Sequence, residues 1–107
     1  ISDRRKDVII TGGENVASIE VEDALFSHPA VAEVAVIGLP HEKWGETVVA
    51  IVVLNSDAEA TERDLIDLAR ERLAHFKCPT MVRFCNVLPR TATGKVQKYK
   101  LRTSQQS

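Results

Sequence analysis

Two stretches dominate the pattern of hydrophobic and polar positions: Val31 to Leu39 (Val-Ala-Glu-Val-Ala-Val-Ile-Gly-Leu) and Glu46 to Leu54 (Glu-Thr-Val-Val-Ala-Ile-Val-Val-Leu). Their length and β-branched content predict strands, and their nearly unbroken apolar character predicts that both faces are covered. The charged loop Pro40 to Gly45 between them carries the single tryptophan, Trp44. So short a connection predicts antiparallel pairing. Upstream, the β-branched run from Asp7 to Thr11 stops at Gly12-Gly13, as a strand does on entering a tight turn.

Helical spacing follows in two places. Val21, Ala24, Leu25 and His28 share one face of a helix predicted from Ile19 to about His28, with Ser18 as its N-cap and Pro29 as its stop. Thr61 is placed to cap a second helix running to about Ala74, with Asp64 as a capping-box partner. Leu65, Leu68, Ala69 and Leu73 form its apolar stripe. A third short strand is expected at Met81 to Cys85, a loop from Leu88 to Lys95, and a helical turn within Val96 to Arg102. The order β, α, β, β, α, β predicts an α+β fold: a small sandwich of an antiparallel sheet with packed helices and an N-terminal hairpin.

At 107 residues the chain is one domain's worth, and its 44% hydrophobic and 27% charged content is that of an ordinary globular domain. No apolar run approaches the roughly 20 residues that span a bilayer, so no transmembrane segment is expected. The charged opening Ile-Ser-Asp-Arg-Arg-Lys-Asp is unlike a signal peptide, and with no initiator methionine it suggests a piece of a longer protein. Cys78 and Cys85 lack a CxxC spacing and are expected to be reduced cysteines of a cytoplasmic protein. A zinc site from His75, Cys78 and Cys85 would want a fourth ligand, so no metal is expected.

Charge refines the picture. From Lys77 to Ser107 there are seven basic residues (Lys77, Arg83, Arg90, Lys95, Lys98, Lys100, Arg102) and no acidic one, although the whole chain carries a net charge of -1. Such an end suggests an anionic partner; a solvated tail is the alternative for Lys98, Lys100 and Arg102. Within it, Pro89-Arg90-Thr91-Ala92-Thr93-Gly94-Lys95 offers a lysine on a proline-started loop, able to extend its ammonium into another domain's cleft. It is not a phosphate-binding GxxxxGK[ST] loop, because Pro89 stands where the first glycine belongs and Val96 follows Lys95.

Seven motifs occur in order: Asp3-Arg4-Arg5-Lys6-Asp7, Gly12-Gly13-Glu14-Asn15-Val16, Glu20-Val21-Glu22, His28-Pro29-Ala30-Val31, Lys43-Trp44-Gly45-Glu46, Phe76-Lys77-Cys78-Pro79 and Leu88-Pro89-Arg90-Thr91-Ala92-Thr93-Gly94-Lys95. Together, from about Ser2 to Arg102, they resemble the C-terminal domain of the superfamily of acyl-CoA synthetases, peptide-synthetase adenylation domains and luciferases. The resemblance implies a lid domain spanning 1–107, hinged at 1–7, that closes on its own N-terminal domain in two orientations. It implies ATP with Mg2+, held mainly by that other domain, a carboxylic acid substrate such as those of fatty acid metabolism, and coenzyme A.

In the adenylation orientation the resemblance makes Lys95 the catalytic residue, bridging the acid and the nucleotide phosphate. In the thiol-transfer orientation it assigns Gly12, Gly13 and Glu14 to the pantetheine channel, with Trp44 near it. Phe76 and Lys77 become candidates for the nucleotide end of coenzyme A, and Lys6 falls at the hinge. Two departures stand out. Ala17-Ser18 replaces the usual Tyr-Pro, and Thr80-Met81 replaces a basic pair, so Lys77 or Arg83 would have to serve instead. The Thr11-Gly12-Gly13-Glu14-Asn15 run differs from the Arg-Gly-x-Arg of carrier-loading domains and favours a free-standing CoA ligase. The alternatives are a basic nucleic-acid-binding module, disfavoured by the lack of aromatics interleaved with the basic run, and an inactive interaction domain of the same fold.

Overall fold

The computed structural model describes residues 8–106; the expected hinge, Lys6 included, lies outside the described residues. Strands β1 (Val8–Thr11) and β2 (Glu14–Ala17) form the N-terminal hairpin. They are joined by Gly12 and Gly13, at φ 58° and 83°. Two consecutive positive φ angles make the tight turn whose twist suits a two-residue hairpin, and here only glycine enters it without strain.

Helix α1 (Ser18–Phe26) follows directly. The long strands β3 (Val31–His41) and β4 (Gly45–Leu54) pair antiparallel as expected, from Val31 opposite Leu54 to His41 opposite Gly45. The strands run further into the expected loop, leaving a three-residue connection. His41 stabilises it: its Nδ1 accepts the backbone N–H groups of Lys43 and Trp44, and its ring stacks on Trp44 at 4.3 Å between centroids. Helix α2 (Glu62–Arg72) carries the expected capping box, with Asp64 N–H on Thr61 Oγ1 at 3.1 Å and Thr61 N–H on Asp64 Oδ2 at 2.9 Å. A 3-10 turn (His75–Lys77), strand β5 (Met81–Phe84) and helix α3 (Lys98–Gln106) complete the chain.

The sheet order is β2-β1-β4-β3, with β5 also on β4. The expected antiparallel sheet is therefore present, and β5 joins it parallel. Alternation along β3 and β4 divides two cores. Val36, Val48, Ala50 and Val52 point to one face, where α1 and α2 supply Val21, Leu25, Leu65 and Ala69. Ala35, Ile37, Leu39, Val49, Ile51 and Val53 point to the other, closed by Leu88 and by Leu101 of α3. The unbroken apolar runs are explained by this double burial.

Several local expectations need correction. Ser18 is the first helical residue, not the N-cap; that place falls to Ala17, which makes no side-chain cap. The helix ends at Phe26, and His28 lies beyond it, accepting the Ala30 N–H on Nδ1. Helix α2 stops at Arg72 instead of Ala74, and Leu68 and Leu73 are half-buried while Leu65 and Ala69 are the buried pair. The expected turn after Val96 is a nine-residue helix, because Leu101 has a core to enter.

Candidate functional site

The Lys95 segment is a small hairpin. Arg90 bridges to Val96, the Thr91 N–H donates to the Lys95 carbonyl at 2.9 Å, and the Gln97 N–H donates to the Pro89 carbonyl at 2.8 Å. The Lys95 N–H returns to Thr91 Oγ1 at 3.2 Å. Both backbone polar groups of Lys95 are thus held by one threonine. Gly94, at φ 90°, closes the turn in a conformation that side-chain-bearing residues rarely adopt. The side chain of Lys95 is exposed at this tip. It lines an open cleft of about 900 Å³ between α1, the beginning of β3 and α3, shared with Phe26, Tyr99 and Arg102.

Beneath the hairpin lies a buried ionic group. Lys98 Nζ sits 2.8 Å from Glu22 Oε2, with side chains 13% and 5% exposed, and donates to Ser18 Oγ at 3.0 Å. The same Glu22 oxygen accepts the Val36 N–H at 2.9 Å. That N–H belongs to β3, which ends the β2-β1-β4-β3 order, so the carboxylate covers a backbone donor that an edge strand leaves without a partner strand. One carboxylate therefore joins α1, β3 and α3. Lys98 is not the solvated tail residue that the basic run allows.

The seven basic residues are not unopposed in three dimensions. Lys77 pairs with Glu20, Arg90 with Glu33 and Lys98 with Glu22. Acids of the first half of the chain neutralise part of the second, which breaks up the stripe that a nucleic-acid module would require.

A second, smaller cleft of about 260 Å³ gathers Gly12, Glu14, Trp44 and Phe76 with Thr11, Thr47, His75 and Thr80. Four of the residues assigned to the thiol and coenzyme A end are brought together here from three separate turns. The Gly12 N–H donates to the Trp44 carbonyl at 2.9 Å, locking the β1–β2 turn to the β3–β4 turn. A side chain at Gly12 would start 3.9 Å from Trp44 Cδ1. Gly13 forms the turn but does not line the cleft. Lys77 is turned away from it: its ammonium holds both Glu20 carboxylate oxygens, at 2.9 and 3.0 Å.

Sequence reasoning missed His75, Thr47 and Thr80 at this cleft, and Arg90, Glu33 and Glu22 around Lys95. Glu22 had a signal: it lies on the Ser18, Val21, Leu25 stripe, where a lone acid needs a partner. The pairing of Glu33 with Arg90 had none, since 57 residues separate them.

The two clefts share no lining residue. One borders Glu33, near the start of β3, and the other borders Thr47, opposite Leu39 near its end. The first cleft reaches along β3 as far as Ala35 and the second comes no nearer than Val48, opposite Gly38, so they lie toward opposite ends of the strand pair. Each cleft is open and offers part of a site, a cation at one end and a glycine-and-aromatic slot at the other. Fold and clefts thus define a small α+β domain with two separate open surfaces.

The family model described as AMP-binding enzyme C-terminal domain matches residues 20–95. The chain belongs to that family. It is 54% identical over 102 residues to a 4-hydroxybutyrate–CoA ligase of Metallosphaera sedula, covering 95% of this chain and 18% of that protein. It is 49% identical over 102 residues to the peroxisomal trans-cinnamate:CoA ligase of Petunia hybrida, with the same coverage. Among solved structures, the Mycobacterium tuberculosis fatty acyl CoA synthetase superposes with a TM-score of 0.87 at 47% identity, over 92% of this chain and 20% of that one. The chain therefore spans about a fifth of the length of these relatives. Among the described residues no helix is long and apolar enough to cross a membrane.

Proposed function

We propose that this domain is the moving lid of an AMP-forming acid–thiol ligase, presenting Lys95 for one half-reaction and the Gly12–Trp44 cleft for the other. The observation that carries this is the placement of the two surfaces at opposite ends of β3 and β4. A rigid domain with sites toward opposite ends of one strand pair reaches one active centre with both only by rotating.

In the first half-reaction a carboxylate oxygen of the acid attacks the α-phosphorus of ATP, and pyrophosphate leaves. Two anions must meet, and negative charge grows on the phosphoryl oxygens. Lys95 supplies a positioned ammonium there, in a site closed to water. Magnesium enters with ATP as part of the substrate. In the second half-reaction the thiolate of coenzyme A attacks the acyl carbon and AMP departs. Gly12 leaves room for a narrow thiol arm, with Trp44 and Phe76 as its apolar walls and Glu14 at its mouth. Gly13 serves through the turn. Lys77, engaged with Glu20, positions the loop that carries Phe76, and Lys6 absorbs the rotation as the hinge.

The acceptor is coenzyme A on the strength of the relatives' names; the acid is chosen by the N-terminal domain. A cytoplasmic location is our reading, and the peroxisomal petunia relative supplies the competing one, which imaging of the tagged parent protein decides. The functional test uses the full-length parent enzyme. Lys95→Ala is expected to lower acyl-adenylate formation about 10²- to 10³-fold, measured by pyrophosphate exchange, while thioester formation from supplied acyl-adenylate persists. Equal loss in both half-reactions would remove Lys95 from the role. Absence of any adenylation in the unaltered parent would favour an inactive interaction domain.

A further inference from the structure

We infer that Arg90 is a positioning residue for Lys95, a clamp that fixes the height and direction from which the lysine leaves the domain; this rests on the proposed role of Lys95. The guanidinium reaches in two directions. Its Nη1 donates to the Gly94 carbonyl at 2.7 Å, and its Nη2 pairs with the Glu33 carboxylate on β3. Gly94 immediately precedes Lys95, so the Arg90 bond fixes the peptide group from which Lys95 begins. Glu33 ties that group to the sheet.

Within the hairpin, Thr91 holds the N–H and carbonyl of Lys95, but those bonds are internal. They keep the loop's shape without orienting it on the domain. The feet of the hairpin are set by Leu88 in the second core and Val96 packed against it, and two polar anchors add to them: Arg90 on Glu33 before the tip, and Lys98 on Glu22 after it. Lys98 is 13% exposed and part of the fold, whereas the Arg90 and Glu33 side chains are 41% and 34% exposed. Arg90 can therefore be removed without opening the core. An exposed ion pair of this kind adds little to folding. A long, flexible lysine delivered from a loosened base is another matter, because displacements near 1 Å at a reacting group cost rates about 10²-fold.

The fork geometry makes the test sharp. A guanidinium serves two acceptors lying in different directions; an ammonium on a shorter stem is a point charge that satisfies one of them. In the full-length parent enzyme, Arg90→Ala is expected to lower the adenylation kcat about 10- to 100-fold, with the KM for ATP and the thermal unfolding midpoint unchanged. Thioester formation from supplied acyl-adenylate should stay at the parent rate. Arg90→Lys should recover less than about threefold of the loss. Glu33→Gln, which leaves Arg90 in place and weakens only its anchor, should give a smaller loss in the same half-reaction.

The decisive measurement is Arg90→Ala combined with Lys95→Ala, which should be no slower than Lys95→Ala alone, since a clamp has nothing to position once the ammonium is gone. Full adenylation by Arg90→Ala beside a crippled Lys95→Ala overturns the clamp and leaves the role of Lys95 intact. So does a further loss in the double variant, or equal loss in both half-reactions. A Lys95→Ala enzyme with undiminished adenylation overturns the role of Lys95 itself, and the clamp with it.

Discussion

At the scale of single residues, the molecule depends on polar groups placed where the backbone runs short of partners. Glu22 accepts the Val36 N–H while paired with Lys98, and Glu62 accepts the Val82 N–H of β5 at 2.8 Å. Glu46 does the same for Ile10 of β1 at 3.0 Å. Each carboxylate supplies a strand donor with an acceptor that no neighbouring strand provides. Among them the Glu22–Lys98 pair is the most buried. Replacing Lys98 by Met leaves a buried carboxylate without its cation, which costs about 3–5 kcal/mol; urea unfolding should show it as a lowered midpoint. Glu22→Gln should cost less, because the amide oxygen can still accept from Val36. If the two variants unfold alike, the cation matters less than the backbone bond. Cys78 belongs to this scale too. Burial raises its thiol above the ordinary value, as suits a core residue more than a reactive one.

Among the elements, α2 shows local sequence chemistry acting directly. Thr61 and Asp64 exchange bonds across the first turn, and Leu65 and Ala69 insert into the α1 side of the core. Thr61→Ala should cost about 1 kcal/mol, with faster amide exchange at the start of the helix. The bond from the Thr61 backbone holds the Asp64 carboxyl below its ordinary value. A depressed folded value means that the cap's stabilisation is complete above the unfolded value and fades as pH falls through the lower folded one. An acid titration of the helix should therefore lose the cap's contribution below about pH 4, and Asp64→Asn should flatten that part of the curve. Helix α3 behaves differently. Nothing in Lys98-Tyr99-Lys100-Leu101-Arg102 forces a helix; Leu101 in the second core and Lys98 on Glu22 hold it.

For the whole molecule, the separation of the two clefts along the sheet is the property with functional consequence. It makes domain rotation necessary if both serve one active centre, and so gives the proposed hinge at Lys6 its purpose. Lys6→Pro in the full-length parent fixes φ near −65°. It should impair one half-reaction more than the other, measured as pyrophosphate exchange against thioester release. Equal, unchanged rates would take Lys6 out of the mechanism.

The sequence by itself determined the two long strands, the capped second helix, the glycine turn and the family, because each is written in neighbouring residues: continuous β-branched runs, Thr61 with Asp64, Gly12-Gly13, and a glycine-lysine loop in register with six other motifs. Only the tertiary structure decided which charges are spoken for and where the two clefts lie. Lys77, Arg90 and Lys98 read as one basic run along the chain, yet each meets an acid 57 to 76 residues away. Coulombic and hydrogen-bonding partners are chosen by proximity in space, which the fold sets. The same holds for Gly12, Trp44 and Phe76, scattered along the chain and joined at one cleft only when three turns close on one end of the sheet.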